Sequence, residues 1–431
     1  MASIALGVIG HSRRREAVVA GVIGNVLEWY DFAVYGYLVP VIAQLFFPAA
    51  NQYKSLLTTL AVFGVGFVMR PVGSVVFGIF GDRYGRRLAL SAVIFLMAVS
   101  TLAVGLLPTF AQAGLLGPVL LVIARLAQGL SAGGEWGGST AYIVEFAGEG
   151  RRGYIGSWQQ VSVGAGFLLG SLAATLLTRN LAPAALLSWG WRVPFLLGIV
   201  LGLVGAYLRW RLNDTPKFTE IEQHGEVAAK PLAETLTRFP RETLLAFGLT
   251  LHNTVAYYIA LVYIPTWFVT EAKLPPGTAL LISTLCLLTF VVLIPFAGAL
   301  SDRIGRRPLL IASCIGYVVL TYPLFLLATS GEVAWCFAMQ FVLVVFLALY
   351  AGAAPATYAE IFPTRVRYTA LSIGYNLAVA IFGGFAPFIA TWLIAVAGGN
   401  KLAPTFYVIA AAVVSFIILT RTRETAFSPL K

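Results

Sequence analysis

The sequence predicts an all-α membrane protein with twelve transmembrane helices in two pseudo-symmetric six-helix bundles. Of the 431 residues, 59% are hydrophobic and only 11% are charged, whereas a soluble domain carries about 25% charged residues. Twelve apolar windows follow one another between residues 17 and 421, and each is close to the roughly 20 residues that cross a bilayer. A polar loop sequence occurs after the second window and again after the eighth.

The longest polar connection divides the chain into two halves with six apolar windows each. We therefore expect an N-terminal bundle over residues 1–211, a central cytoplasmic loop over residues 212–241 and a C-terminal bundle over residues 242–431. An even number of spans places both termini on the same side of the membrane.

The basic residues predict the orientation of these spans. The net charge is +11, and most Lys and Arg residues fall in the terminal segments, the central loop and the alternate connections on the same side. Because cytoplasmic loops are enriched in Lys and Arg, we expect both termini in the cytoplasm. Since the basic residues are scattered among apolar runs, nucleic acid is not an expected partner.

The repeated loop has the pattern Gly-x-x-x-Asp-Arg-x-Gly-Arg-Arg, beginning at Gly78 and again at Gly298. Its aspartate can accept hydrogen bonds from the start of a neighbouring helix or pair with an arginine. Glu145 and Glu360 end the fourth and tenth windows, where we expect them to pair with loop arginines and to latch one access state. The predicted gating residues are Asp82, Arg83, Arg86, Glu145, Asp302, Arg303, Arg306 and Glu360.

Two copies of this loop resemble the signature of the major facilitator superfamily. The run Arg125-Leu126-Ala127-Gln128-Gly129, with Gly133 after it, resembles the fourth-helix motif of the same superfamily. Further stretches resemble the metabolite–proton symporters, whose members carry citrate, 2-oxoglutarate, shikimate, or proline and betaine. These stretches are Gly24–Phe32, Phe67–Gly73, Gly133–Trp136, Trp189–Phe195 and Ile361–Arg367.

This resemblance implies a secondary active transporter of the bacterial inner membrane. We expect proton-coupled symport of a small carboxylate-bearing metabolite, a di- or tricarboxylate or a keto acid, by alternating access. The alternatives are proton-coupled uptake of a zwitterionic osmolyte such as proline or betaine, and an exporter of the same fold.

Ionisable residues within the predicted spans are costly, so they are expected to be functional or paired. Glu28 and Asp31 lie three residues apart on one face of the first helix, and Arg125 and Glu135 lie on the fourth. We predict that Asp31 or Glu28 pairs with Arg125 in one state and carries a proton in another. A permanent salt bridge is the alternative. Arg70 either anchors the second helix through backbone carbonyls or contacts the substrate.

The resemblance also implies a solute cavity between the two halves at mid-membrane. Arg125 can meet a carboxylate, and uncharged side chains can add hydrogen bonds. The other predicted substrate-binding residues are Tyr35, Gln159, Gln160, Asn253, Tyr257, Tyr350 and Thr357. Arg192 and His252 are expected to be structural or to contact the solute.

Neither enzymatic activity nor a cofactor is expected. The sequence has no Gly-x-x-x-x-Gly-Lys-Ser/Thr loop for ATP, and no catalytic constellation is apparent. The three cysteines lie in apolar runs without metal-ligand spacing, so no metal is expected. The expected partners are a small solute, the proton and membrane lipid, and the chain is expected to be monomeric.

Overall fold

The computed structural model describes residues 11–84, 86–145, 147, 150–210, 235, 237–362 and 364–428. Within this part of the chain, three short helices occur at Val39–Phe46, Phe110–Ala113 and Pro183–Ser188, and the long helical segments form twelve rods. They are α1 (His11–Tyr37), α2 (Gln52–Tyr84), α3 (Arg86–Leu106), α4 (Leu116–Ala132 and Trp136–Glu145), α5 (Arg152–Asn180), α6 (Gly190–Arg192 and Val193–Trp210), α7 (Pro240–Thr270), α8 (Pro276–Ile304), α9 (Arg306–Ala328), α10 (Val333–Ile361), α11 (Thr364–Ala378, Val379–Gly383 and Ala386–Val396) and α12 (Ala403–Thr420).

Hydrophobic length supports a membrane location for these rods. Eight helices of the described chain are long and apolar enough to cross a bilayer, and three shorter apolar stretches occur at Ser91–Leu106, Leu116–Ala132 and Gly190–Val204. Because a helix satisfies its own backbone hydrogen bonds, it is the structure that an apolar chain can adopt in lipid. The predicted all-α fold is confirmed.

The predicted central loop, 212–241, falls almost wholly outside the described residues. Its last two positions differ from the prediction, because α7 begins at Pro240. Proline suits the first turn of a helix, where its missing N–H leaves no bond unmade. The polar residues that predicted a loop continue into the first turn of α7.

A wider, five-residue turn interrupts α7 at Ile259–Tyr263. Pro265 follows, and its nitrogen cannot donate to the carbonyl of Leu261 four residues earlier. That carbonyl instead accepts the hydroxyl of Tyr37 on α1, at 2.5 Å. The carbonyl left free by the irregular turn in the C-terminal half thus accepts a hydrogen bond from the N-terminal half. Wider turns of this kind are frequent at functional sites.

Glycines bring α2 and α4 into backbone contact within the N-terminal half. A Cβ at Gly129 would overlap the carbonyl oxygen of Gly66, and one at Gly133 would overlap the carbonyl of Arg70. Small residues at such spacing let membrane helices approach closely. This contact holds Arg70 and Arg125 in the interior of the same bundle.

The substitution Gly129→Ala is expected to destabilise the N-terminal half. The added methyl group meets backbone that a side-chain rotation cannot clear, and overpacking of this kind costs about 1–3 kcal/mol. The measurement is the midpoint of thermal unfolding in detergent. Gly105→Ala is the matched control, because its nearest neighbours are side-chain atoms 3.1 Å away that can shift. Equal midpoints for the two variants would contradict the close contact.

Candidate functional site

A narrow cavity lies between the two halves. In this closed conformation it has room for about one water molecule. Its walls come from α1, α5, α7 and α11, and they are mostly aromatic or uncharged polar. The lining residues are Trp29, Gln160, Val163, Asn253, Thr254, Tyr257, Tyr258 and Tyr375.

Four buried polar atoms on this wall make no hydrogen bond to any residue that the structure describes. They are Asn253 Oδ1, Thr254 Oγ1 and the hydroxyls of Tyr257 and Tyr258. An unsatisfied buried polar group costs about 1–3 kcal/mol. Four of them at one cavity indicate that the site is built to hydrogen-bond something other than the protein.

Some of the predicted substrate-binding residues lie at this cavity and others do not. Gln160, Asn253 and Tyr257 line it, and Gln160 donates to the neighbouring Gln159 at 2.8 Å. The remaining predicted hydroxyls lie away from the wall, each donating to a backbone carbonyl: Tyr35 to Thr59, Tyr350 to Leu249 and Thr357 to Ala353.

A second narrow cavity lies inside the N-terminal half, between α1, α3, α4 and α6. Glu28, Asp31 and Glu135 all line it, together with Tyr30, Thr101 and Ser131. Because Trp29 faces the central cavity, α1 separates the two cavities. Glu28 and Asp31 therefore lie on one face of α1, and Trp29 lies on another.

Arg70 and Arg125, which are buried in the interior of the N-terminal half, are each paired with a carboxylate of α1. Arg70 Nη2 lies 2.8 Å from Glu28 Oε1, whereas Arg125 Nη1 lies 3.7 Å from Asp31 Oδ2. The sequence predicted Arg125 as the partner of either acid, and the structure pairs it with Asp31. The partner of Glu28 is Arg70, which the sequence did not indicate.

Arg125 is held by its own helix and by aromatic faces. Its Nη1 donates to Gln128 Oε1 at 2.7 Å, and its guanidinium lies over the rings of Phe32, Tyr35 and Phe63. It does not line the central cavity. The role of Arg125 in solute binding stays a prediction.

Arg70 lies behind the aromatic wall of the central cavity. Its Cζ is 5.0 Å from the ring centre of Trp29, and its Nη2 also approaches the Ala132 carbonyl of α4 at 3.5 Å. The other two guanidinium nitrogens, Nε and Nη1, have no hydrogen-bond partner among the described residues. Arg70 thus connects α2 to α4 through a backbone carbonyl, which is one of the two roles proposed for it. Its remaining N–H groups could bind another acceptor.

The second copy of the repeated loop joins the two halves at one end of the bundle, here called the motif end. Asp302 Oδ1 and Oδ2 accept the backbone N–H groups of Gly153 and Tyr154, each at 2.8 Å, at the start of α5. Asp302 Oδ1 also accepts from Arg306 at 2.8 Å. Both roles expected for the loop aspartate are present.

Glu360 connects the halves at the same end. Its Oε1 lies 3.0 Å from Arg152 Nη1 in the N-terminal half and 3.1 Å from Arg306 Nη2. The pairing of Glu360 with a loop arginine is confirmed, while Arg303 is exposed. The predicted counterparts in the first copy, the side chains of Asp82, Arg83, Arg86 and Glu145, lie outside the described part of the structure.

The segment after α12 completes this network. Glu424 accepts the backbone N–H groups of Arg306 and Arg307 at 2.8 and 2.9 Å, so it caps α9. Thr425 donates to Glu360 at 2.6 Å, and the Ser428 carbonyl accepts from Arg152 at 2.6 Å. The C-terminal segment therefore bridges both halves.

At the opposite end of the bundle, the Tyr53 hydroxyl joins the two halves. Tyr53 at the start of α2 donates to Glu271 after α7, at 3.0 Å. Lys401 donates to the backbone carbonyl of Glu271 at 2.6 Å. Since both ends hold contacts between the halves, the structure is an occluded state.

Two further predicted residues have structural contacts. His252 Nε2 lies 3.2 Å from Ser313 Oγ, and its ring lies between those of Tyr317 and Tyr350. Arg192 donates to the carbonyls of Gly105 and Leu107 at the end of α3. Neither lines the central cavity.

Sequence reasoning missed several residues at these sites. Trp29 stood inside a quoted motif, between the two acids, but was not selected. Tyr258 is next to a selected residue, and Tyr375 carried no signal in the sequence. Tyr375 stacks on Trp136 across the halves with ring centres 3.4 Å apart, a pairing between residues distant in the chain.

Two six-helix halves around a central cavity, with latches at the ends, define a membrane transporter that works by alternating access. Residues 17–239 and 220–431 both match the family described as Sugar (and other) transporter. The chain belongs to this family, within the major facilitator superfamily.

Similar proteins agree with this assignment. The chain is 34% identical to the Proline/betaine transporter of Escherichia coli (strain K12), over 98% of this chain and 86% of the relative. It is 35% identical to the Glycine betaine/proline/ectoine/pipecolic acid transporter OusA of Dickeya dadantii (strain 3937), with the same coverage. The structure of the proton:xylose symporter XylE bound to 6-bromo-6-deoxy-D-glucose superposes with a TM-score of 0.80 at 18% identity, covering 97% of this chain and 98% of XylE. This last likeness shows the fold.

The cap on α9 predicts a pH-dependent stability. Burial raises the pKa of the Glu424 carboxyl, but backbone N–H donors at Ala426, Arg306, Arg307 and Thr425 outweigh it and hold the pKa below its usual value. A depressed folded-state pKa stabilises the protein above the unfolded pKa, and this contribution is lost as the pH falls through the folded value.

Glu424→Gln is therefore expected to lower the free energy of unfolding at pH 7 by about 1 kcal/mol, which is typical of a lost cap. The midpoint of thermal unfolding should fall accordingly. The difference between the two proteins should shrink as the pH falls through the lowered pKa of Glu424. Midpoints in detergent across this pH range provide the measurement, and Glu332→Gln, an exposed acid at the opposite end of the bundle, is the control. A difference that persists unchanged in acid would contradict the cap.

Proposed function

We propose that this protein imports a small zwitterionic osmolyte, of the betaine or proline type, together with a proton. The observation that carries the proposal is the central cavity, whose unsatisfied polar atoms and aromatic rings lie beside a charge-balanced arginine–glutamate pair. Names of the relatives point to the same solutes, because the two quoted relatives are described as transporters of proline and betaine.

Charge balance favours a zwitterion over an organic acid. Arg70 and Arg125 each have a carboxylate of α1 beside them, so the site has no surplus positive charge for a di- or tricarboxylate. A buried, uncompensated charge is expensive. A zwitterion brings one charge of each sign and leaves the balance unchanged. The relatives' names likewise give no support to the organic-acid substrate expected from the sequence.

The aromatic wall suits a quaternary ammonium group. Trp29, Tyr257, Tyr258 and Tyr375 surround the cavity, and ring faces attract cations such as methylated ammonium groups by about 0.5–2 kcal/mol. Amide and hydroxyl groups from Gln160 and its neighbours can bind the solute's other polar atoms. Because the closed cavity is small, the rings must part for a solute to enter, which alternating access requires.

Orientation follows from the positive-inside distribution of Lys and Arg. It places the motif end in the cytoplasm, with the latch of Glu360 and Arg152 as the inner gate. Opening of the Tyr53–Glu271 contact then admits solute from outside. Acids on α1 supply a proton-accepting group that faces its own cavity, so an inward proton gradient can drive accumulation in a bacterial inner membrane.

The direct test is uptake by purified protein in liposomes. With an inside-alkaline pH gradient, labelled glycine betaine should accumulate above its external concentration, and a protonophore should abolish the accumulation. Citrate and 2-oxoglutarate serve as the contrasting solutes. Accumulation of either acid in place of betaine and proline would contradict the zwitterion assignment, and loss of preloaded betaine under the same gradient would indicate an exporter.

Trp29→Ala is expected to raise the KM for glycine betaine about 2- to 30-fold, the equivalent of one lost cation–π contact. Trp29→Phe keeps a ring face and should lie closer to the native protein. The KM for proline, whose ammonium carries no methyl groups, should change less. Trp158→Ala is the control, because that side chain is exposed on the outer surface of α5. Equal effects of the Trp29 and Trp158 substitutions would contradict the aromatic site.

A further inference from the structure

We infer that Arg70 is the residue that couples the proton to the solute, by exchanging the carboxylate of Glu28 for the carboxylate of the transported zwitterion. This inference rests on the proposed function. It selects Glu28 rather than Asp31 as the proton acceptor, and it gives Arg70 a role in solute recognition.

The first step is the position of Arg70 between the two cavities. Glu28, its ion-pair partner, lines the cavity of the N-terminal half. Trp29, whose ring lies 5.0 Å from the guanidinium carbon, lines the central cavity. Arg70 therefore contacts one wall of each cavity, whereas Arg125 lies against Gln128 and aromatic rings that do not line the central cavity.

The second step is the incomplete hydrogen bonding of Arg70. Its side chain has no exposed surface, yet within the described part of the chain Nε and Nη1 have no hydrogen-bond partner. Glu28 engages Nη2 through a single oxygen, at 2.8 Å. A guanidinium can bind a carboxylate with two parallel hydrogen bonds, so the present pair leaves capacity for a second carboxylate.

The third step is the charge around Glu28. One cation and several acidic or phenolic groups face it from the surrounding helices. They are Arg70 from α2, Asp31 on α1 itself, Glu135 from α4 across the cavity, Tyr258 from α7 and Tyr375 from α11. Protonation of Glu28 removes the carboxylate that neutralises Arg70. The guanidinium cannot lose its proton in compensation.

The exchange balances at each stage. Glu28 takes up one proton and becomes a neutral acid, which leaves Arg70 with one uncompensated positive charge. A zwitterion then brings a carboxylate to Arg70, while its ammonium lies against the aromatic wall. After the inner end opens, the solute leaves, Glu28 releases the proton, and the original ion pair forms again. Each cycle moves one proton and one neutral zwitterion.

Proton binding and solute binding affect each other equally, so the exchange can be measured through the affinity for the solute. If protonation of Glu28 promotes solute binding, the affinity for glycine betaine must rise as the pH falls, by up to about tenfold per pH unit for one linked proton. Choline has the same trimethylammonium group but no carboxylate. Protonation of Glu28 should not raise its affinity, because a cation gains nothing from an uncompensated Arg70, so the pH dependence of the betaine-to-choline affinity ratio reports the carboxylate contact with Arg70.

The experiment compares Glu28→Gln with Asp31→Asn, two neutralised acids on the same helix that each pair with an arginine. Affinities for betaine and choline are measured by calorimetry at pH 6 to 9 on folded, monodisperse protein. We expect the native ratio to fall steeply with rising pH, the Glu28→Gln ratio to stay high at every pH, and the Asp31→Asn ratio to keep the native slope. Glu28→Asp, which restores a titrating carboxyl, should restore a slope.

A native slope in Glu28→Gln, or a flat ratio in Asp31→Asn, would overturn the exchange. Uptake into liposomes separates this failure from failure of the proposed function. Native protein that accumulates betaine while Glu28→Gln keeps the native slope refutes the exchange alone. A slope that depends on Glu28 without any proton-driven accumulation refutes the proposed transport alone, and absence of betaine binding at every pH refutes both.

Discussion

Compensation of buried charge is the constraint on which the N-terminal half depends. Arg70 and Arg125 have no exposed surface, and a guanidinium keeps its proton. An unpaired charge in such a place would cost several kcal/mol. The helix α1 must therefore present Glu28 and Asp31 on the face that meets them, and its aromatic residues supply ring faces as further partners. The spacing of these residues on α1 is a consequence of that requirement.

Close packing of α2 against α4 is a second consequence of the need to pair the buried charges. Two arginines can reach α1 from α2 and α4 only if those helices approach one another without intervening side chains. Gly66 and Gly129 make this approach possible, because a methyl group on Gly129 would overlap backbone. The glycines of the fourth-helix motif thus support charge pairing within the bundle. The same packing places Arg70 directly behind the wall of the central cavity.

The two ends of the bundle are closed by different kinds of interaction. Carboxylates and arginines join the halves at the motif end, where Glu360 contacts Arg152 and the C-terminal segment bridges the same groups. At the other end, the described contacts include the hydroxyl of Tyr53 on Glu271 and the hydroxyl of Tyr37 on a backbone carbonyl. The motif end is thus closed by pairs of oppositely charged groups, whereas these two contacts at the other end have uncharged hydroxyl donors.

Much of the fold follows from short-range properties of the sequence. Apolar runs of bilayer length specify helices wherever they occur, and the repeated loop identified two related halves. Periodicity also placed Glu28 and Asp31 on one face of α1, because three residues span nearly one turn. These features depend on neighbours in the chain and can be read without knowing how the helices assemble.

The tertiary structure decided which groups meet. Glu28 pairs with Arg70. The hydroxyls of Tyr35, Tyr350 and Thr357 donate to backbone carbonyls away from the central cavity. Tyr375, from the other half, lines that cavity. Helical periodicity gives the face of a side chain relative to its own helix. The rotation, tilt and neighbours of that helix are set by packing against the others, so the partners of buried charges and the lining of the cavity appear only when all the helices are in place.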